Sequence, residues 1–306
     1  MAVNAGNFPL SVGLVEYESA TRQMAAKKTW NYDEVFGQPG KTGEAEVRGI
    51  LFGGTGLPHE RDWGEPIRSD EMRELGYWSA TDTEYAMGID IDNKWLEDNR
   101  HIKGFLREVG TSVGESFMQA KCIHAALPFI RAFSSTTQAM WDASALCDSI
   151  TLDDGSTLDN DLPVATPSFS TVWDLIDFIR YKQYNQRGLR MKGVPMCYIY
   201  HDVHERKIPK IFTQEWEMDS LYRNKNTIRK YKIKPVSCVE LDALGTNAQF
   251  LLGTKAKRQL ILRMRKNLTT EWDTNKRNRS RSGLTHMRIM VGVKDRTDIV
   301  GRPHSA

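Results

Sequence analysis

The chain has 306 residues and 34.9 kDa, of which 40% are hydrophobic and 26% charged. That is enough apolar material for a sizeable core and, by length, for two modules. No apolar run approaches the roughly 18 residues of a membrane-spanning helix, and the opening residues show no basic segment followed by an apolar one, so neither a span nor a secretory leader is expected. The net charge of +3 conceals an asymmetry: Arg206–Arg302 holds 23 Lys/Arg against 9 Asp/Glu, leaving the remainder strongly acidic. Such polarity suits a nucleic-acid partner or complementary faces between identical copies.

In chain order, residues 1–35 read as an arm, with scattered apolar positions and room for a short helix over Ser19–Lys28. Residues 36–76 form a glycine- and proline-rich tract, unusual as a loop inside a compact domain. Glu44–Phe52 within it reads as one strand of a long hairpin. Glu84–Ile91 alternates polar and apolar residues, the pattern of a half-buried strand. A long helix is expected from Asp92 to Leu127. Trp95, Ile102, Phe105, Val109, Val113, Phe117 and Ala120 share one of its faces, and Pro128 closes it. Gly104, Gly110 and Gly114 each weaken this helix by up to about 1 kcal/mol, so packing must hold it.

Beyond a loop-like stretch over 134–168, Thr171–Arg187 reads as a helix capped by Ser170, with Val172, Trp173, Ile176, Ile179 and Tyr184 on its apolar side. Met196–Tyr200 reads as a buried strand. Asp202 and Glu205 have capping-box spacing for a helix to about Met218, with Ile208, Ile211, Phe212 and Trp216 inward. Strands follow at Lys232–Leu241, Gln249–Gly253, Gln259–Leu268 and Thr285–Lys294, with a polar hairpin across Asp273–Ser282.

Chemistry-bearing motifs are scarce. Phosphate-binding glycine loops and nucleophile elbows are missing from the sequence. Cys122, Cys147, Cys197 and Cys238 lie far apart, which suits buried small hydrophobes rather than a zinc site or disulfides. His201, His204 and Glu205 could form a metal-dependent hydrolytic site, but a strand end followed by a capped helix explains them without a metal. Asp153, Asp154, Asp159 and Asp161 form an acidic cluster without calcium-loop spacing. Two basic segments, Arg223, Lys225, Arg229 and Lys230, then Lys276, Arg277, Arg279 and Arg281, could meet phosphates without reading bases. Trp30, Trp63 and Trp78 sit where the chain has least evident core of its own. With Lys41, Arg48, Arg61, Asp62 and Arg68 they are the candidate contacts to another subunit.

The order of these parts resembles the tailed-phage major capsid proteins of the Hong Kong 97-like fold. The resemblance is carried most by Thr171–Arg187, by Gly193–Tyr200, by the loop at Arg223–Asn226, and by Asn267–Trp272 with Arg288–Val293. It implies an α+β chain built of an N-terminal arm (1–35), an extended β-hairpin loop (36–82), a peripheral domain with a long spine helix (83–133), an apical domain (134–255) and return strands with the C-terminus (256–306). It further implies a structural, non-catalytic protein without metal or cofactor that assembles into pentamers and hexamers of a phage head. The expected partners are other copies, a separate scaffolding protein, portal and decoration proteins, and packaged double-stranded DNA, with no membrane. Assembly would occur in the host bacterial cytoplasm. A basic nucleic-acid-binding protein and the metal-dependent hydrolase are the alternatives.

Overall fold

The computed structural model describes residues 8–36, 40–52, 74–92, 102–133, 145–151, 155, 157–184, 188–217, 224–275 and 280–303. Helix α1 (Phe8–Ala25) and the single turn α2 (Asp33–Phe36) precede a short strand β1 (Gly40–Lys41), β2 (Glu46–Phe52) and the 19-residue β3 (Glu74–Asp92). The spine is α3 (Ile102–Ile130), about 43 Å long at 1.5 Å per residue. Then come β4 (Ser149–Thr151), β5 (Thr157–Asp159), α4 (Phe169–Tyr181), β6 (Gln183–Tyr184), β7 (Arg190–Met191) and β8 (Pro195–Tyr200). After these follow α5 (Ile208–Thr213), β9 (Lys234–Ser237), β10 (Gln249–Gly253), α6 (Ala256–Gln259), β11 (Leu260–Asn275), β12 (Ser280–Val293) and β13 (Ile299–Arg302).

Two sheets organise the described residues. The first has the order β1-β11-β12-β3-β2 and is built from long antiparallel strands with β1 added in parallel. The second has the order β13-β10-β8-β9. Its central strands are apolar almost throughout because both faces are covered. Cys197 and Ile199 enter the core shared with α3 and the first sheet, while Tyr198 and Tyr200 pack under α4 and α5. The two-residue alternation of β8 therefore serves two cores at once.

Residues 8–36 correct the expectation of an unpacked arm. Tyr17, Ala20, Thr21 and Met24 recur at helical spacing, and α1 lies along α3. Tyr17 is fully buried, edge-on to Trp272 at 5.3 Å, with its hydroxyl 3.3 Å from Thr285 Oγ1. Glycines on the spine make this close approach possible: a Cβ at Gly110 would sit 2.6 Å from the Tyr17 carbonyl, and one at Gly114 2.6 Å from that of Thr21. The chain then runs into the main core, where Trp30, Tyr32, Val35 and Phe36 pack with Cys122, Ala126 and Phe129.

Other expectations move by one turn or one strand. The spine is described only from Ile102, so Trp95 and the expected first turns lie outside the described residues; Phe105 is exposed, and the helix passes Pro128 to end at Ile130. The cap of α4 is Ser168, in a capping box with Thr171, and the helix stops at Tyr181, leaving Tyr184 exposed in β6. The helix expected from Asp202 to Met218 is a 3-10 turn (Asp202–His204) followed by α5, because Pro209 restarts the helix in its own first turn. Ile208, Ile211 and Phe212 face inward as expected, whereas Trp216 is exposed. The strand expected at Lys232–Leu241 shortens to β9 and a 3-10 turn, Val239–Leu244. The last strand β13 joins the second sheet, beside β10, rather than returning to the first.

Candidate inter-subunit surfaces

The hairpin of β2 and β3 carries the first surface. Its two strands are antiparallel, with Ile50 opposite Tyr77 and Gly49 opposite Trp78. The Trp78 indole lies across Gly49, where a Cβ would stand only 2.4 Å from its Nε1, and it packs against Val47, Ala80 and Met290. The Lys294 ammonium stands 5.1 Å from that ring. Trp78 is thus half-occupied by its own chain. Ile50, Phe52 and Tyr77 are 48%, 62% and 67% exposed, an apolar group with no cover from the described residues. Sequence reasoning missed these three, although Ile50 and Phe52 alternate with neighbours of the other face.

The remaining predicted contacts divide. Trp30 is a correction: it is 3% exposed, donates Nε1–H to the Cys122 carbonyl at 3.2 Å, and offers nothing to a neighbour. Lys41 is exposed on β1, beside β11. Arg48 is exposed and pairs with Glu46 at 2.7 Å, a contact of small energetic weight. Arg61, Asp62, Trp63 and Arg68 lie outside the described residues.

A second surface surrounds the turn before β9. Asn226 is buried and fixes it: its Nδ2 donates to the carbonyls of Ile211 (2.6 Å) and Gln214 (3.0 Å), and its Oδ1 accepts from the Ile228 amide (2.9 Å). Lys225, Arg229 and Lys230 are exposed around this clamp. Cations and rings alternate toward α4. Lys230 stands 5.0 Å from Tyr231 and 5.9 Å from Trp173; the Arg180 guanidinium lies 4.9 Å from both Tyr231 and Tyr181; Arg190 is 5.6 Å from Tyr181. Lys225, Arg229 and Lys230 were legible in the sequence as a basic segment, whereas Trp173, Arg180 and Tyr181 were not joined to it, because they come from α4, nor was Arg190, which comes from β7. Arg281 belongs to the other sheet, opposite Ile91 on β3, so the two predicted basic segments do not share a strand layer. Arg223, Lys276, Arg277 and Arg279 lie outside the described residues.

The third group is acidic. Asp159 is exposed and its Oδ1 accepts from the Asp161 amide at 3.1 Å. Burial, then the charges of Asp159 and Asp148, push the Asp161 carboxyl up to about 6. Asp153 and Asp154 lie outside the described residues.

The candidate metal residues do not converge. His201 is 3% exposed, with Nδ1 2.9 Å from Asp202 Oδ1 and Nε2 bonded to Asp242. It caps the 3-10 turn by accepting from the Val203 amide at 3.2 Å. Among the described residues no group of three or more His, Cys, Asp or Glu side chains is placed to hold a metal. The four cysteines are buried and unbridged, as the sequence indicated. A cleft of about 520 Å³ between the first sheet and the end of α3 is lined by Tyr85, His124 and Arg131. His124 hydrogen-bonds Tyr85 at 3.1 Å, and burial with the nearby Arg131 charge lowers it to about 4, so the ring is neutral near pH 7. No described helix is long and apolar enough to cross a membrane.

No protein-family model matches the chain, and no curated protein does. Solved structures do match. The capsid of an empty GTA particle superposes with a TM-score of 0.53 at 10% identity, covering 92% of this chain and 91% of that one. A virus-like particle from Pyrococcus furiosus gives 0.51 at 10% identity, covering 94% and 98%. The capsid of Myoviridae phage XM1 gives 0.50 at 10% identity, covering 92% and 94%. At such low identity the likeness is one of fold, and it extends over almost the entire length of each chain. The chain has the fold of phage capsid proteins.

Proposed function

We propose that this chain is the major capsid protein of a tailed bacteriophage, with a structural and non-catalytic role. In this reading the first sheet with α1 and α3 is the peripheral domain of a Hong Kong 97-like subunit. The second sheet with α4 and α5 is the apical domain, and the β2–β3 hairpin is the extended loop. Copies would form pentamers and hexamers of an icosahedral head that encloses double-stranded DNA without sequence specificity. A separate scaffolding protein, a portal and decoration proteins would complete the particle, built in the host bacterial cytoplasm.

The observation that carries the reading is the uncovered apolar group on the hairpin. Ile50, Phe52 and Tyr77 stay 48%, 62% and 67% exposed beside the described residues, and covering what remains of each against a neighbour is worth about 1–2 kcal/mol. A contact of this kind, repeated around a particle, gives cooperative assembly from individually modest terms. The likeness in fold to capsids and a virus-like particle supports the same conclusion.

The test is electron microscopy of the protein expressed alone and with its neighbouring scaffold gene, beside a variant carrying Ile50→Ser, Phe52→Ser and Tyr77→Ser. Closed shells or five- and six-membered rings from the wild type are expected, and folded, unassembled subunits from the variant. Normal shells from the variant would remove the hairpin from the interface. A wild-type protein that stays monomeric under both conditions would overturn the reading.

A further inference from the structure

The second sheet has chemically opposite edges. At one edge, β13 is bordered by the chain around Asp161: the Leu162 amide donates to the Gly301 carbonyl at 2.9 Å, and the Gly301 amide to that of Asn160 at 3.1 Å. This border carries the β4–β5 hairpin with Asp148 and Asp159. At the other edge, β9 follows the turn holding Arg229 and Lys230, and Lys232 stands exposed at its entry.

Neither edge is neutralised by an ion pair among the described residues. Asp148, Asp159 and Asp161 have no ion-pair partner among the described residues, and neither do Arg229, Lys230 and Lys232. Every influence on the Asp161 carboxyl acts in the direction of holding its proton. Arg296, whose charge is felt at Cys147 together with those of Asp161 and Asp148, is 3% exposed and donates to the Ala145 carbonyl. On the basic side the carboxylates are Glu215 and Glu217, whose segment bridges to Asn224–Asn226 beside Lys225 without an ion pair among the described residues, Asp177, half-buried on α4, and Asp174, which Arg302 holds at 2.7 Å. Lys234, on β9 itself, is already paired with Glu34.

We propose that the basic, ring-lined surface beside β9 is an interface for a second copy of this chain, and that it receives that copy's acidic β4–β5 hairpin. The proposal rests on the shell-subunit reading and names which faces meet within a ring. Three features favour a second copy. The two charged borders lie on opposite edges of one sheet, so pairing them joins copies head to tail, the heterologous geometry that closes into rings. A guanidinium set over a tyrosine ring can still offer N–H groups to a carboxylate, which suits Arg190, and Arg180 with the donors it does not give to the Tyr231 hydroxyl, to acidic side chains. Finally, β9 begins Lys234-Pro235, with Lys232 just before it, a strand that resists addition of another strand, so the contact runs through side chains.

Charge reversal tests this directly. Lys230→Glu and Asp159→Lys are each expected to raise the critical concentration for assembly about five- to tenfold, with unchanged thermal unfolding of the isolated subunit. The double variant, carrying both reversals, is expected to recover wild-type assembly. Mixing the two single variants carries a further signature. Matched interfaces then require strict alternation, which a six-membered ring allows and a five-membered ring forbids. Hexameric rings, sheets or tubes without closed shells are therefore expected from the mixture. Wild-type shells together with normal assembly of both single variants would overturn this inference and leave the shell reading intact, as would a double variant that is not rescued. Duplex DNA binding by the isolated subunit that Lys230→Glu abolishes, with assembly unaffected, would overturn it in favour of a phosphate partner. A wild-type protein that never assembles would remove both readings.

Discussion

Three glycines on one helix should respond to the same mutation with opposite signs. Gly104, Gly110 and Gly114 all lie on α3, and replacing a helical glycine by alanine stabilises the helix by about 1 kcal/mol in the absence of other effects. At Gly104 a new Cβ meets nothing within 4 Å, so Gly104→Ala should deliver that full gain. At Gly110 the Cβ would stand 2.6 Å from the Tyr17 carbonyl oxygen and 3.0 Å from the Tyr17 Cα. Those atoms are backbone of α1, so no side chain can swing aside; the whole helix must retreat by about 1 Å. Such overpacking costs about 1–3 kcal/mol. It also loosens Tyr17 from Trp272 and Thr285. Gly110→Ala should therefore lose about 1 kcal/mol net, roughly 2 kcal/mol below Gly104→Ala. Adding Gly114→Ala should cost less than its single effect, because both substitutions displace the same helix. Urea unfolding of the isolated subunit, followed by far-ultraviolet circular dichroism, measures all four proteins. Equal upward shifts in midpoint for Gly104→Ala and Gly110→Ala would show that α1 is not seated on the spine.

Asp161→Asn should stabilise the isolated subunit near pH 7.5 and do little at pH 4. The folded carboxyl sits at about 6 against 3.8 as a free side chain, so the native state holds the extra proton between those values and loses stability as pH rises through that window. The group is half-buried rather than enclosed, so solvent screens part of the repulsion and limits the gain to about 1 kcal/mol. Thermal melts of both proteins across pH 4–8 check it, and a constant difference across the range would refute the sign. Asn226→Ala should cost about 2–4 kcal/mol, since it removes three hydrogen bonds and strands the Ile211 carbonyl and the Ile228 amide. A urea midpoint within experimental error of the wild type would dismiss the clamp.

What the sequence disclosed followed from burial on both faces or from charge. Gln249–Gly253 was bounded correctly because every residue of β10 is buried, leaving no polar alternation to misread. Pro195–Tyr200 was found within one residue for the same reason. By contrast, α1 was read only as a short helix over Ser19–Lys28 within an unpacked arm: its packed stripe is Tyr17, Ala20, Thr21 and the half-buried Met24, where alanine and threonine carry little hydrophobic signal and the seat is formed by glycines on another helix. The start of β3 was placed ten residues late because the glycine-rich tract runs on to Gly76, inside the strand, and because the strand pairs first with β2 and only later with β12. At the candidate interfaces the charged segments were visible as runs. The exposed apolar residues of the hairpin were not, since a strand's alternation does not say which face its own chain will cover.

The seating of α1 and of Trp30 narrows where the subunit is incomplete. If the first 36 residues were an unfolded arm, association would have to order them, and each residue fixed would cost about 1–2 kcal/mol of backbone entropy. Residues 8–36 are instead already ordered by α3 and the main core, so binding need not include that cost for them. The deficit lies in the β2–β3 hairpin, whose strands are paired but whose apolar residues are not covered, and in the two edges of the second sheet, whose charges are not matched. A preformed hairpin and preformed edges bind with less entropy loss than a flexible arm. The hairpin contributes apolar area, which salt leaves in place, and the edges contribute electrostatic matching, which salt screens. Raising ionic strength should therefore weaken association between the edges of neighbouring second sheets before it weakens the hairpin contacts. Light scattering across a salt series, comparing Lys230→Glu with the triple serine variant, would separate the two. A salt response retained in full by Lys230→Glu would place the screened charges elsewhere.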